Sequence, residues 1–472
     1  MNTNNKIIGL IALLVVLFFF GAFSINFIVD DFYFLKISRV ETLSDITAFF
    51  SPLRTTFYRP LASEVFYAII TLLGRNIYLA HMLVFAVYIL GIAALYRSIK
   101  HISGNIVFAC CGALLYALHS THVFQLYTFN TFQEVLMMTT LAWSFWMLLQ
   151  KKYATSQVFF IAALLSKENA VLYPGILLAA KVLRLHHFPT LSWKHIMLFF
   201  GYSAAALLLY VPGTQNVAAT ESIYTPQFSV SLISNNAFWY TAWAMGAPNF
   251  VPDHMRSIFG PVLPTLWPYF DLPFAKLYTA SLILYLMGLI LGSVMVIRKQ
   301  NIAWKMAVWY VLFFVIFLTP ALPIVHKWMV RLTLPLIPIA LAQAWIIAHL
   351  VKQHRSFAGI LIALYLVTNF ASIRVHEITS NYRHQSTLSE RVQEYFIKNR
   401  EDYTFASSYY FVDPIDTDGT AWGWSKQLEN TLHGSDFIDH VYPGSKAVVF
   451  YGYRKPQIRP NTIPIPADLF IP

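Results

Sequence analysis

The stretch that decides the fold is residues 7–28, IIGLIALLVVLFFFGAFSINFI, which runs without a charge straight into Val29-Asp30-Asp31. About 20 consecutive apolar residues are needed for a helix to cross a 30 Å hydrocarbon core. The segment therefore reads as a membrane span, with two carboxylates emerging at its end. Working outward, residues 277–297 and 306–318 carry the same signature. Splitting every apolar run at its polar and Pro/Gly punctuation predicts about eleven spans. They lie near residues 7–28, 78–97, 104–119, 132–150, 154–166, 168–184, 194–211, 276–297, 303–320, 330–350 and 356–372. Residues 60–74 are short and contain Glu64, and residues 229–247 hold two Asn among aromatics, so both read as interfacial or re-entrant helices.

Composition agrees. Of 472 residues 57% are apolar and only 12% charged, with mean hydropathy +0.55, whereas a soluble domain is about a quarter charged. A soluble globular protein is excluded, and the expectation is an all-α polytopic membrane protein. The net charge of +11 would suggest nucleic acid in a soluble chain, but here membrane topology explains it. Cys110 and Cys111 are adjacent inside an apolar run, which suits neither a disulfide nor a zinc site. The N-terminus lacks a small-residue cleavage site and reads as the first anchor.

The positive-inside rule places the N-terminus in the cytoplasm. The cytoplasmic loops then hold Lys6, Arg97, Lys100, Lys151, Lys152, Lys181, Arg184, Lys194, Arg298, Lys299, Lys305, Lys352 and Arg355, with no Asp or Glu. Every acidic residue of the membrane part falls on the exoplasmic side, where two long loops, residues 29–77 and 212–275, also lie. After Ser372 the composition changes, and the last hundred residues hold 12 of the 22 acidic residues. Residues 1–372 therefore read as the membrane domain and 373–472 as a small exoplasmic α/β domain, with strands over 403–412 and 447–453 and a helix over 421–433. No Asn-x-Ser/Thr acceptor occurs, which leans towards a bacterial inner membrane with the tail in the periplasm.

Several constellations could carry chemistry. Asp30 and Asp31 repel one another at the membrane surface, so one could act as a general base, or both could simply solvate a helix end. Arg59, in Tyr58-Arg59-Pro60, would sit at headgroup depth, suited to a phosphate or to an interfacial anchor. Ser166-Lys167-Glu168 lies at the tip of a tight hairpin, as a lipid-phosphate contact or a closing ion pair. His119 and His122 share a spacing that could serve a metal with Glu134, or could pack at a helix end. His326, Lys327 and Arg331 are cations on the side where the rule disfavours them, and an anionic headgroup or neighbouring carboxylates would account for them. Asp253, His254 and Arg256 stand among Trp239, Trp243, Trp267 and Tyr269, a composition suited to sugars or to an aromatic belt. A phosphate-cradling glycine loop is absent, so a soluble nucleotide-sugar site is not supported.

Taken in order, Asp30-Asp31, Tyr58-Arg59-Pro60-Leu61, Leu115-Tyr116-Ala117-Leu118-His119 with His122, Glu134, and Leu165-Ser166-Lys167-Glu168 with Pro174 resemble the GT-C superfamily of integral-membrane glycosyltransferases. The similarity is to the branch of protein O-mannosyltransferases and related bacterial enzymes that use polyprenyl-phosphate sugars, and it covers residues 1 to about 340. It implies a GT-C-like fold and an inverting transfer on the exoplasmic face to a protein, lipid or glycan acceptor. It also implies Asp30 or Asp31 as catalytic base, with Arg59, Lys167, Lys327 and Arg331 as candidates for gripping the donor phosphate. His119, His122, Glu134, Glu168, His254, Arg256 and His326 are the remaining substrate-binding candidates. The expected partners are the lipid-linked donor and membrane lipids, not nucleic acid; no metal ligand is assigned and a divalent cation is left open. The alternatives are a lipid-linked oligosaccharide ligase or polymerase using a diphosphate donor, and a transporter or flippase, against which the gathering of ionisable groups at one face argues.

Overall fold

The computed structural model describes residues 3–52, 54–55, 57–185, 192–220, 224–255, 257–258, 260–298, 304–403, 406–414 and 423–471. The chain begins with α1 (Thr3–Phe18), then α2 (Asp30–Ile37) and α3 (Leu43–Ala48). A π-helical turn, Leu61–Val65, leads into α4 (Phe66–Leu72). The next helix, α5 (Ile77–Ser103), starts where the Asn76 side chain accepts from Leu79 N–H at 3.1 Å and stops at Gly104, in the left-handed region at φ +63°. Asn105 caps α6 (Ile106–Ala117) in the same way. There follow α7 (Val123–Tyr127), α8 (Phe132–Leu149), α9 (Tyr153–Leu164), α10 (Tyr173–Val182), α11 (Trp193–Thr220), α12 (Val230–Ala244), α13 (Ala275–Ile297), α14 (Trp304–Leu318), α15 (Leu336–Gln353) and α16 (Arg355–Thr379).

All eleven expected spans coincide with helices, but among the described residues six are long and apolar enough to cross a membrane, or seven if the pair α6 and 120–127, bent by 46°, is one span. For α9 and α10 the reason is length, since with 12 and 10 residues at 1.5 Å per residue neither reaches across 30 Å; α8 has 18 residues and falls short in apolar character. The chain is thus a multi-pass helical membrane protein. Burial sorts its helices. Half or more of the apolar window of α5 and α15 is buried, against about a quarter for α13 and α14, so the first two form the interior and the last two face lipid. Close approach needs small residues: a β-carbon on Gly91 of α5 would lie 2.5 Å from Thr139 Oγ1 of α8.

Beyond α16 come α17 (Asn381–Lys398), α18 (Arg400–Tyr403), β1 (Ser408–Val412), α19 (Trp424–Leu432), α20 (Asp436–Val441), β2 (Val448–Tyr451) and β3 (Ile463–Pro466). The sheet is parallel, ordered β2-β1-β3, with Tyr409 opposite Val449 and Ile463. Both expected strands and the expected helix are present in shorter form. The third strand, Ile-Pro-Ile-Pro, was not expected, since proline cannot donate to a ladder; it occupies an edge, where that is tolerated. Phe396 of α17 anchors this domain against Tyr409, Phe437 and Tyr442.

The tail domain packs on the first loop. Lys36 Nζ meets Asp436 Oδ1 at 2.7 Å, Arg75 Nη1 donates to His440 O at 2.9 Å, and Ser389 Oγ donates to Phe27 O at 2.6 Å. The His440 ring lies against Phe27 and Phe32.

Candidate active site

The two first-loop carboxylates differ completely in setting. Asp31 is fully buried: its Oδ2 accepts from Ile28 N–H at 2.9 Å and its Oδ1 from the Tyr67 hydroxyl at 2.5 Å. Burial pushes its pKa up to about 7. Asp30 opens α2 with 49% of its side chain exposed. Its close surroundings raise its pKa, offset in part by His433, the Asn130 side chain and Arg59. The residue before it, Val29, sits at φ +52°, a genuine outlier for a β-branched residue. Asp31 is thus a latch that fixes the start of α2, and Asp30 is the half-exposed carboxylate of the pair.

Three charged segments far apart in sequence converge nearby. Arg59, at the entrance to the π-helical turn, donates through Nε to Glu168 Oε2 at 2.8 Å and through Nη2 to Glu168 Oε1 at 2.7 Å, and its Nη1 donates to Gln133. Burial would raise the Glu168 pKa, but Arg59 and Lys167 outweigh it and hold the carboxyl down to about 2. Next to this pair, Lys167 Nζ meets the buried Glu134 at 2.8 Å. Arg331 lies against the Tyr240 hydroxyl, a group that also feels Glu134, and its Nη1 is buried without a hydrogen-bond partner among the described residues.

These contacts separate the four basic candidates. The fork of Arg59 is spent on Glu168 and Gln133, so it builds the site. Lys167, with three donors and one carboxylate partner, and Arg331, with an unengaged guanidinium nitrogen, keep capacity for an anion. Lys327 stands apart with Asp253; burial lowers its pKa, partly offset by that carboxylate.

An apolar cavity of about 570 Å³ is lined by residues of α5, α6, α8, α10, α13, α14 and α15, and none of the charged residues of the cluster is part of that lining. Met138 and Leu334 line it, one turn beyond Glu134 on α8 and three residues beyond Arg331 respectively. The lining continues to Ser103, Ile297 and His349 at the opposite helix ends.

The other candidates fall elsewhere. His119 and His122 lie buried at the bend after α6, where His119 Nδ1 accepts from Thr121 N–H at 3.3 Å and the His122 ring packs on Tyr88 and Tyr116. They do not converge with Glu134, which Lys167 holds, and no group of three or more His, Cys, Asp or Glu suited to a metal occurs among the described residues. His254 pairs with Thr265 at 2.9 Å and packs on Tyr269 within its own loop, and His326 packs between Tyr224 and Trp328. Arg256 lies outside the described residues. Tyr67, Asn130, Gln133, Tyr240, His433 and Asp436 were not among the candidates; Gln133 adjoins Glu134 and Tyr67 follows Glu64, so their neighbours were the available signal.

No family model matches the chain, and no curated protein matches it either. Among solved structures it is similar to the crystal structure of ArnT from Cupriavidus metallidurans in the apo state, with 14% identity across 88% of this chain and 84% of that one and a TM-score of 0.39. A likeness that loose transfers no chemistry, which has to come from the side chains themselves.

Proposed function

We propose that the protein is an integral-membrane glycosyltransferase of the GT-C type, moving a sugar from a polyprenyl-phosphate carrier to an acceptor on the exoplasmic face with inversion at the anomeric carbon. The observation that carries this reading is the half-exposed Asp30 near Arg59 and the buried Lys167–Glu134 pair, with an apolar cavity whose lining begins one turn beyond Glu134 on α8. The lipid tail occupies the apolar cavity and its phosphate meets Lys167 and Arg331. An acceptor hydroxyl or amine approaches the exposed side of Asp30 and gives it its proton. The bond from acceptor to anomeric carbon forms as the carbon–oxygen bond to the phosphate breaks. The electron pair stays on the phosphate, where the cations stabilise the growing charge. Arg59 and Glu168 hold the hairpin that carries Lys167. The all-basic connections on the opposite side support a cytoplasmic N-terminus, and with it a periplasmic tail in a bacterial inner membrane.

The test is purified protein in lipid with radiolabelled polyprenyl-phosphate sugars, comparing wild type with Asp30→Asn. Sugar transfer or release that disappears in the variant supports the reading. Turnover only with diphosphate donors would replace it with the ligase or polymerase, and no turnover with either would favour transport.

A further inference from the structure

The tail domain meets the first loop at the one carboxylate the proposed mechanism uses. His433 ends α19; its Nδ1 lies 2.8 Å from Asp436 Oδ2 and its Nε2 faces Asp30 Oδ1 at 3.7 Å. Asp436 is itself held by Lys36 of α2. On the other side of the contact, Val29 N–H donates to Thr431 O at 2.7 Å. Val29 and His433 both sit at φ +52°. Two side-chain-bearing residues at positive φ, one on each side of the contact, are backbone conformations that persist where surroundings over-determine them.

We propose that His433, its ring clamped by Asp436, is a positioning residue for Asp30: the tail domain supplies a cation that keeps the Asp30 carboxylate ionised, so the site is complete only with the tail docked on the first loop. This inference rests on Asp30 being the base. With Asp436 accepting at Nδ1, that nitrogen carries a proton, and two flanking carboxylates favour a second proton on Nε2. At 3.7 Å the imidazolium acts as a charge and not as a hydrogen-bond donor, so it takes up no Asp30 lone pair, and the capacity that the Asn130 side chain does not use stays available for the acceptor's proton. The charged and titratable groups facing the pair are Asp436, Lys36 and Tyr33 around His433, and Arg59, Asp31, Tyr33 and Tyr67 around Asp30, with Asn130 as a neutral partner. The directions agree: the Asp436 hydrogen bond, against burial and with help from Asp30, raises the His433 pKa.

The experiment is the pH–rate profile of transfer for wild type, His433→Gln and His433→Lys. Loss of the cation raises the Asp30 pKa, so the acidic limb of His433→Gln is expected to move up by about one pH unit. Its rate should fall up to about tenfold below that limb and converge with wild type above it, with donor KM unchanged. His433→Lys restores the wild-type limb. A superimposable profile, or a rate loss equal at every pH, overturns the proposal. A second reading needs no turnover. In ¹⁵N-histidine NMR of the full-length protein in lipid, the His433 signal, assigned by its loss in His433→Gln, should titrate about one pH unit lower in Asp30→Asn, because the coupling is reciprocal. An unchanged His433 titration overturns the proposal even where the enzyme is active. If wild type transfers no sugar while the NMR shift is present, the glycosyltransferase reading fails and the coupling stands.

Discussion

The first and second loops hold the same kinds of residue, carboxylates, histidines, arginines and aromatics, yet only one becomes a site. In residues 29–77 three charges are tied to partners far along the chain, Arg59 to Glu168, Asp30 to His433 and Lys36 to Asp436, while Glu41 and Asp45 bond within the loop. In residues 224–275 the contacts of His254 and Asp271 stay local, while Asp253 reaches Lys327 and Tyr240 reaches Arg331. His254 bonds Thr265, and Asp271 meets Lys276 at 3.5 Å with 80% and 83% of the two side chains exposed. Composition is thus a poor guide to chemistry, and long-range convergence a good one, because it brings groups into a shared low-dielectric surrounding where their charges count.

The sharpest way to break the contrast is Asp30→Asn. A positioned base is worth about 10²–10⁴-fold, so the transfer rate should drop by that factor with unchanged thermal unfolding. A loss under about tenfold would remove Asp30 from the chemistry. The expected acidic limb follows from the same group: the base works ionised, so the rate rises as pH climbs through its pKa, which burial raises from its ordinary value.

Lys167→Met comes next. Removing a donor from a developing charge costs about 10²–10³-fold, and the buried Glu134 left unpaired costs about 3–5 kcal/mol of stability. The double variant Glu134→Gln with Lys167→Met separates the two, and it should recover unfolding temperature without recovering transfer. Recovery of transfer would reduce the pair to a structural role.

Asp31→Asn has a smaller expected effect, about tenfold, because it disturbs only the latch beneath Asp30. Its stability signature is more telling. The Asp31 pKa is raised from its ordinary 3.8 to about 7, so the unfolded chain releases its proton first. Folded stability then falls as pH rises between those values. Thermal unfolding of wild type across that window should show a decline that Asp31→Asn flattens, and parallel curves would contradict the latch.

Much of this was legible in sequence because it is local. Apolar runs marked every helix that became a span or half-span, and the wrong-side or membrane-depth charges at Asp30, Arg59, Glu134, Lys167 and Glu168 do assemble. What sequence did not disclose is which partner each takes. His433 reads as an ordinary helix-ending residue, and only the packing of α20 on α2 carries it to Asp30, some four hundred positions away. The π-helical turn after Arg59 and the proline-rich β3 were hidden for another reason: each departs from the regular period on which sequence patterns rest. The His119 and His122 spacing suggested a shared face, but the bend after α6 turns them into the tyrosine-lined interior.

The smallest expected effect sharpens the comparison from its other side. His254→Ala removes a side chain whose polar contact and ring contact both lie within residues 251–271, and an exposed local substitution costs within about 0.5 kcal/mol. Transfer rate and donor KM should therefore stay within about twofold of wild type. Acceptor KM is the discriminating quantity, because an aromatic-rich exposed loop is where a glycan or peptide would lie if the second loop takes part. A rise of about tenfold or more in acceptor KM at constant kcat would show uniform binding lost there. The second loop would then be an acceptor platform, and locality of contact would no longer separate the two loops.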